Sequence, residues 1–120
     1  MLDRFEATLE SYLAGVFVEA LGRVLKSARF QETLRIPEPS VIEFQRGSDL
    51  LTVQVGESRG HQRLVVIESE TVDLRPLASA AATETILEVS DRLLTALPWV
   101  DHSAVRRSIE GSLLDQWKQV

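Results

Sequence analysis

The chain contains no cysteine. That excludes disulfides, thiolate metal sites and cysteine nucleophiles, and it fits a reducing, cytoplasmic setting. Long apolar runs are missing too. The longest, Leu64–Ile67, spans four residues, whereas a membrane helix needs roughly 20. The opening Met1-Leu2-Asp3-Arg4-Phe5-Glu6 has neither the basic start nor the apolar stretch of a secretory signal. Basic blocks are also absent. Residues 1–30 carry four acidic and four basic side chains, 31–75 eight and five, and 76–120 six and four. Duplex binding draws much of its affinity from neutralised phosphates, and attachment to an anionic membrane needs a polybasic segment. A chain of net charge −5 offers a stripe for neither.

Histidine is scarce, with only His61 and His102. No His-x-x-x-His or Glu-x-x-His spacing occurs, so a zinc site would have to gather ligands from far apart. Gly56-Glu57-Ser58-Arg59-Gly60 has the Gly-x-Ser-x-Gly spelling of a serine-nucleophile elbow, but it lies in the turn between two expected strands, whereas such an elbow joins a strand to a helix. A glycine-rich phosphate loop is absent. These absences point away from an enzyme and from a bound cofactor. What remains is ordinary for a globular protein: 120 residues, 44% hydrophobic and 26% charged, a length that fits one domain over residues 1–120.

Apolar residues recur at helical spacing through Leu2, Phe5, Leu9, Tyr12, Leu13, Val16, Phe17, Ala20, Leu21, Val24 and Leu25, which predicts one long helix over 2–29. Thr8, Ser11, Gly15, Val18 and Gly22 form a ridge of mostly small residues along it. Such a ridge admits close approach by another helix, either within the fold or from a second copy. Residues 30–40, with Pro37 and Pro39, read as a connector. Three strands are expected next, at 41–45, 51–55 and 61–67, separated by polar, glycine-bearing turns, hence an antiparallel meander. Asp73 and Pro76 mark the start of a helix that runs to about Leu97 and ends at Pro98. Asp101 caps a further helix with the stripe Val105, Ile109, Leu113 and Trp117. The expected fold is therefore α+β, in the order α-β-β-β-α-α: a long N-terminal helix, a three-stranded meander and two C-terminal helices. A three-stranded sheet leaves two edges, and strand 41–45 is a candidate to extend the sheet across a dimer.

Three groups of residues carry functional readings. The first is Asp49 at the second strand, with Glu68 and Glu70 ending the third. Helix, three antiparallel strands and helix, with acids so placed, resembles the front half of the restriction-endonuclease-like nuclease core. That resemblance implies Mg²⁺ held by the aspartate and by the first acid of a Glu-x-Lys pair, with the lysine aiding the attacking water. Here Glu70 stands where the lysine belongs and Ser48 where a proline precedes the aspartate. The resemblance implies at most a divergent nuclease-like domain lacking its lysine. Residues i and i+2 share one side of a strand, so Glu68 and Glu70 also read as acids facing water.

The second group is Arg59, His61 and Arg63 on one hairpin, with Arg106 and Arg107 in the last helix. Some small nucleoid-associated proteins share a helix–three strands–helix order, and that topological likeness implies a nucleic-acid-associated role. The third group is Ser11, Gly15 and Gly22 on the ridge, together with Trp99 and Trp117, because tryptophan is enriched at interface hot spots. The reading that best joins these features is a non-catalytic protein–protein interaction module, homodimeric, with an adaptor, chaperone-like or assembly-factor role.

Overall fold

The structure, a computed structural model, describes residues 2–37, 40–96, 101, 103 and 107. Its elements are β1 (Asp3–Glu10), α1 (Ser11–Ser27), β2 (Gln31–Pro37), β3 (Ser40–Arg46), β4 (Asp49–Glu57), β5 (Gln62–Ser69) and α2 (Leu74–Ala96). The strands form one antiparallel sheet in the order β1-β5-β4-β3-β2. Both helices lie on one face of it, over a core that includes Phe5, Leu9, Phe17, Leu21, Leu25, Phe44, Leu51, Ile67 and Ile86.

This corrects the expected fold in two places. The long N-terminal helix is a strand followed by a 17-residue helix. The three-stranded meander is the middle of a five-stranded sheet. The first error arises because residues 3–9 satisfy both periods. Phe5 and Leu9 suit a helix, but Asp3, Phe5, Ala7 and Leu9 also alternate strictly, and all four are buried while Arg4, Glu6 and Thr8 are half-buried. Pairing decides between them. β5 is apolar on both faces through Leu64–Ile67 and takes β1 along its whole length, from Asp3↔Ser69 to Glu10↔Gln62.

The switch from strand to helix needs no loop. The Glu10 carboxylate accepts from the amides of Tyr12 (3.0 Å) and Leu13 (3.3 Å), as an N-cap does. Ser11 donates from its amide and its hydroxyl to the carbonyl of His61. At the other end the Phe30 amide reaches the Leu25 carbonyl and the Arg29 amide that of Lys26, with Arg29 at φ 72°. These bonds make a Schellman stop in which arginine occupies the position glycine prefers.

The second error arises at residues 31–37. β2 is exposed along its whole length, so no buried face wrote a period into it. It exists because β3 offers a partner, from Gln31↔Gln45 to Pro37↔Ser40, with a bulge between Glu32 and Leu34. The β3–β4 hairpin closes on Gly47-Ser48, with Gly47 at φ 61°. Glycine at the first position of a two-residue loop is what a type II′ turn requires.

α2 starts where expected. Asp73 Oδ1 accepts from the Arg75 amide at 3.1 Å, and Asp3 Oδ2, from β1, accepts from the Leu74 amide at 2.6 Å. The first turn of α2 is thus held by the sheet edge it crosses. The helices pack against each other, and Ala78, Ala81 and Ala82 of α2 are buried. Arg23 also pairs with Glu84 and Glu88 across that contact. The Ser103 amide donates to Asp101 Oδ1 at 3.0 Å, in the manner of the expected cap. The stripe Val105, Ile109, Leu113 and Trp117 lies outside the described residues. No described helix is long and apolar enough to cross a membrane.

Candidate interaction surface

Paired residues in an antiparallel sheet share a face, so the register assigns every strand position to the helix side or the open side. Ile42, Phe44, Leu51, Val53, Val65 and Ile67 are buried on the helix side. β2 is inverted relative to them. Glu32 pairs with Phe44 and Arg35 with Ile42, so the two charged residues lie on the helix side. Leu34 pairs with Glu43 and Ile36 with Val41, which puts the apolar residues on the open side. Leu34 and Ile36 remain 40% and 39% exposed.

The rest of the open side carries an ion pair from Arg4 to Glu6 (3.0 Å) and to Glu68 (3.2 Å), at the far edge. Leu50, Leu64 and Val66 also lie on this face, and Leu34 and Ile36 carry its apolar surface on to the sheet edge. On the helix side, Glu32 accepts from Arg35 Nε at 3.2 Å. That hydrogen bond holds the Glu32 carboxyl below its ordinary range and raises the Arg35 guanidinium above its own.

Between α1 and this strand runs a trough in two parts. One, of about 350 Å³, is lined by residues including Ser11, Gly15, Val18, Arg35, Ser40 and Val55. The other, of about 280 Å³, is lined by residues including Gly22, Lys26, Glu32, Ile42 and Phe44. The small ridge of α1 is thus one wall of the trough. A Cβ at Gly15 or Gly22 would meet nothing within 4 Å, so neither glycine admits a neighbouring helix among the described residues. Among the described residues, the helix-side face of the sheet is open at this end, between α1 and β2.

The acids fall differently from the nuclease arrangement. Asp49 alternates with Leu51 and Val53, so it lies on the helix side, where Arg46 Nη2 holds it at 3.1 Å. The same guanidinium donates to the Ala28 carbonyl and lies 4.4 Å above the Phe30 ring, closing the end of α1 onto the hairpin. Glu68 is on the open side against Arg4, and Glu70 is exposed beyond the strand. Asp49 and Glu68 sit on opposite faces of one sheet. Among the described residues no three histidine or carboxylate side chains gather closely enough to hold a metal ion. A shallow hollow at this sheet end is lined by Ser48, Leu50, Thr52, Glu68, Glu70 and Thr71, among others. Its nearby Ser69 hydroxyl is fully engaged, donating to the Leu50 carbonyl and accepting from the amides of Thr71 and Val72.

Of the basic group, Arg59 and His61 are exposed in the β4–β5 turn, and Arg63 is half-buried at the start of β5. Arg107 is exposed, and Arg106 lies outside the described residues, as do Trp99 and Trp117. The residues that reading the sequence missed are Glu32, Leu34, Arg35 and Ile36. The available signal was the i, i+2 spacing of Leu34 and Ile36, two residues long and enclosed by charges and prolines.

No family model matches the chain, and no curated protein sequence matches it. Among solved structures, it is similar to a conserved protein of unknown function from Enterococcus faecalis. The TM-score is 0.40 at 9% identity, with 98% of this chain and 86% of that one covered.

Proposed function

We propose that this chain is a non-catalytic protein–protein interaction module that works as a homodimer in the cytoplasm, in an adaptor, chaperone-like or assembly role. The observation that carries the reading is the β2 edge. All seven of its residues are exposed, and it turns Leu34 and Ile36 outward beside the half-buried Val41. An unpaired strand edge is a template for another strand, and main-chain pairing at such an edge is a recurrent mode of recognition. The trough beside α1 adds a concave surface next to the same edge. Sedimentation or mass-resolved light scattering at high micromolar concentration tests the reading. The expected species has twice the 13.4 kDa mass of the chain; a monomer at that concentration overturns it.

A further inference from the structure

We infer that two copies join through β2, antiparallel and about a two-fold axis normal to the sheet, with Glu32 of each strand opposite Arg35 of the other and Gln31 opposite Ile36. This rests on the homodimer reading and names the surface and register that it would use.

Symmetry and charge eliminate most ways of pairing β2 with its copy. Such an axis keeps the helix side of one copy beside the helix side of the other, so opposed residues must belong to the same face. On β2 the helix side is Glu32, Arg35 and Pro37, and the open side is Gln31, Leu34 and Ile36, with Thr33 taken up by the bulge. Few symmetric registers respect that division. Centring on Glu32 sets carboxylate against carboxylate, and centring on Arg35 sets guanidinium against guanidinium. Like charges directly opposed destabilise a strand pair. Centring on Ile36 brings in Pro37, which has no N–H to give to a ladder. Centring between Thr33 and Leu34 opposes Glu32 to Arg35 twice, by symmetry, and uses the strand from Gln31 through Ile36.

The bulge makes this register possible. Without the extra residue, positions 32 and 35 would face opposite ways. With it, the two charges share a face and become complementary to their own copies. Bulges, inward charges and terminal prolines are also the devices that keep an edge from indiscriminate pairing. Here they favour the one symmetric register in which both charged residues oppose an unlike partner. On the open side, Leu34 and Ile36 of both copies come together as one apolar strip. On the helix side, the two α1 ridges face each other across a shared floor of β3 and β2 strands, so Ser11, Gly15 and Gly22 flank the interface without forming it.

The test uses the full chain in three forms: unaltered, Glu32→Arg and Arg35→Glu. Each single variant presents like charges to its own copy and is expected to weaken dimerisation at least about tenfold. One variant then carries two cations and the other two carboxylates. Mixed in equal amounts, they are expected to form heterodimers within about threefold of the original affinity. Recovery on mixing comes only from folded chains, so it also controls for misfolding. Variants that dimerise like the unaltered chain, or a mixture that does not recover, overturn the β2 register while leaving a homodimer through another surface. An unaltered chain that stays monomeric sinks the homodimer reading itself.

A second measurement uses the absence of native cysteine. Under mild oxidation, Gln31→Cys chains are expected to cross-link to Ile36→Cys chains faster than either cross-links to itself, since opposed strand residues lie within disulfide reach. Equal rates, or no cross-link, would overturn the register independently.

Discussion

β1 and β2 are the two edges of one sheet, and they have opposite constructions. β1 turns Phe5, Ala7 and Leu9 beneath the helices and leaves Arg4 and Glu6 on the open side. β2 turns Glu32 and Arg35 to the helix side and Leu34 and Ile36 to the open side. The difference follows from what lies above each strand. α2 crosses β1 and donates its first amide, that of Leu74, to the Asp3 carboxylate, whereas α1 stands off from β2 across a trough. An edge covered by a helix becomes core. An edge left bare must either guard itself or find a partner, and β2 carries features suited to both.

The largest expected break between the two edges is in stability. Phe5 is 2% exposed and stacks on Phe17 with ring centroids 5.5 Å apart. Phe5→Ala is expected to cost about 3–5 kcal/mol. Ile36→Ala at the other edge is expected to shift the stability of the monomer by no more than about 0.5 kcal/mol. Urea unfolding of both changes, made in the Arg35→Glu chain to remove dimerisation, checks the contrast. Equal losses would mean that β2 is core and that the comparison is mistaken. Next comes Asp3→Ala, which removes the cap that β1 supplies to α2. Loss of such a cap costs about 1–2 kcal/mol, and the helix signal in circular dichroism should fall at a lower urea concentration.

A smaller effect sharpens the account of the trough. Gly15 lies inside α1 with open space where a Cβ would be. Gly15→Ala is therefore expected to stabilise the monomer by roughly 1 kcal/mol through helix propensity. A loss instead would show that the ridge is already packed against something.

The smallest effect is on pH dependence. The hydrogen bond from Arg35 lowers the pKa of Glu32, opposed by slight desolvation and helped by the charges of Arg35 and Lys26. A lowered carboxylate contributes at pH above its ordinary value of 4.5 and loses that contribution as pH falls through the lowered value. The folded chain should lose a small increment of stability across that acid window, and Glu32→Gln should abolish that step. Urea unfolding across the acid range measures both.

How much of this was legible in the sequence follows the same division. β3, β4, β5 and α2 announce themselves because each buries a face, and burial writes a period of two or a cap-to-proline frame into the residues. β1 is ambiguous in the sequence because Phe5 and Leu9 fit two periods, and only the pairing with β5 selects the strand. β2 resembles a connector because its stability comes from hydrogen bonds to β3 and not from a buried face. The candidate surface was hidden with it. The small ridge was visible, but as a helix contact; the structure shows the wall of a trough. Asp49, Glu68 and Glu70 were close enough in sequence spacing to suggest a cluster, yet strand alternation sends Asp49 and Glu68 to opposite faces.

Amide hydrogen exchange, followed residue by residue as the protein concentration is raised, tests the central claim most directly. The account predicts that amides within Gln31–Ile36 gain protection with concentration while those of β1 stay unchanged. Dimers that form with no added protection in β2, or a chain whose exchange is independent of concentration, would contradict it.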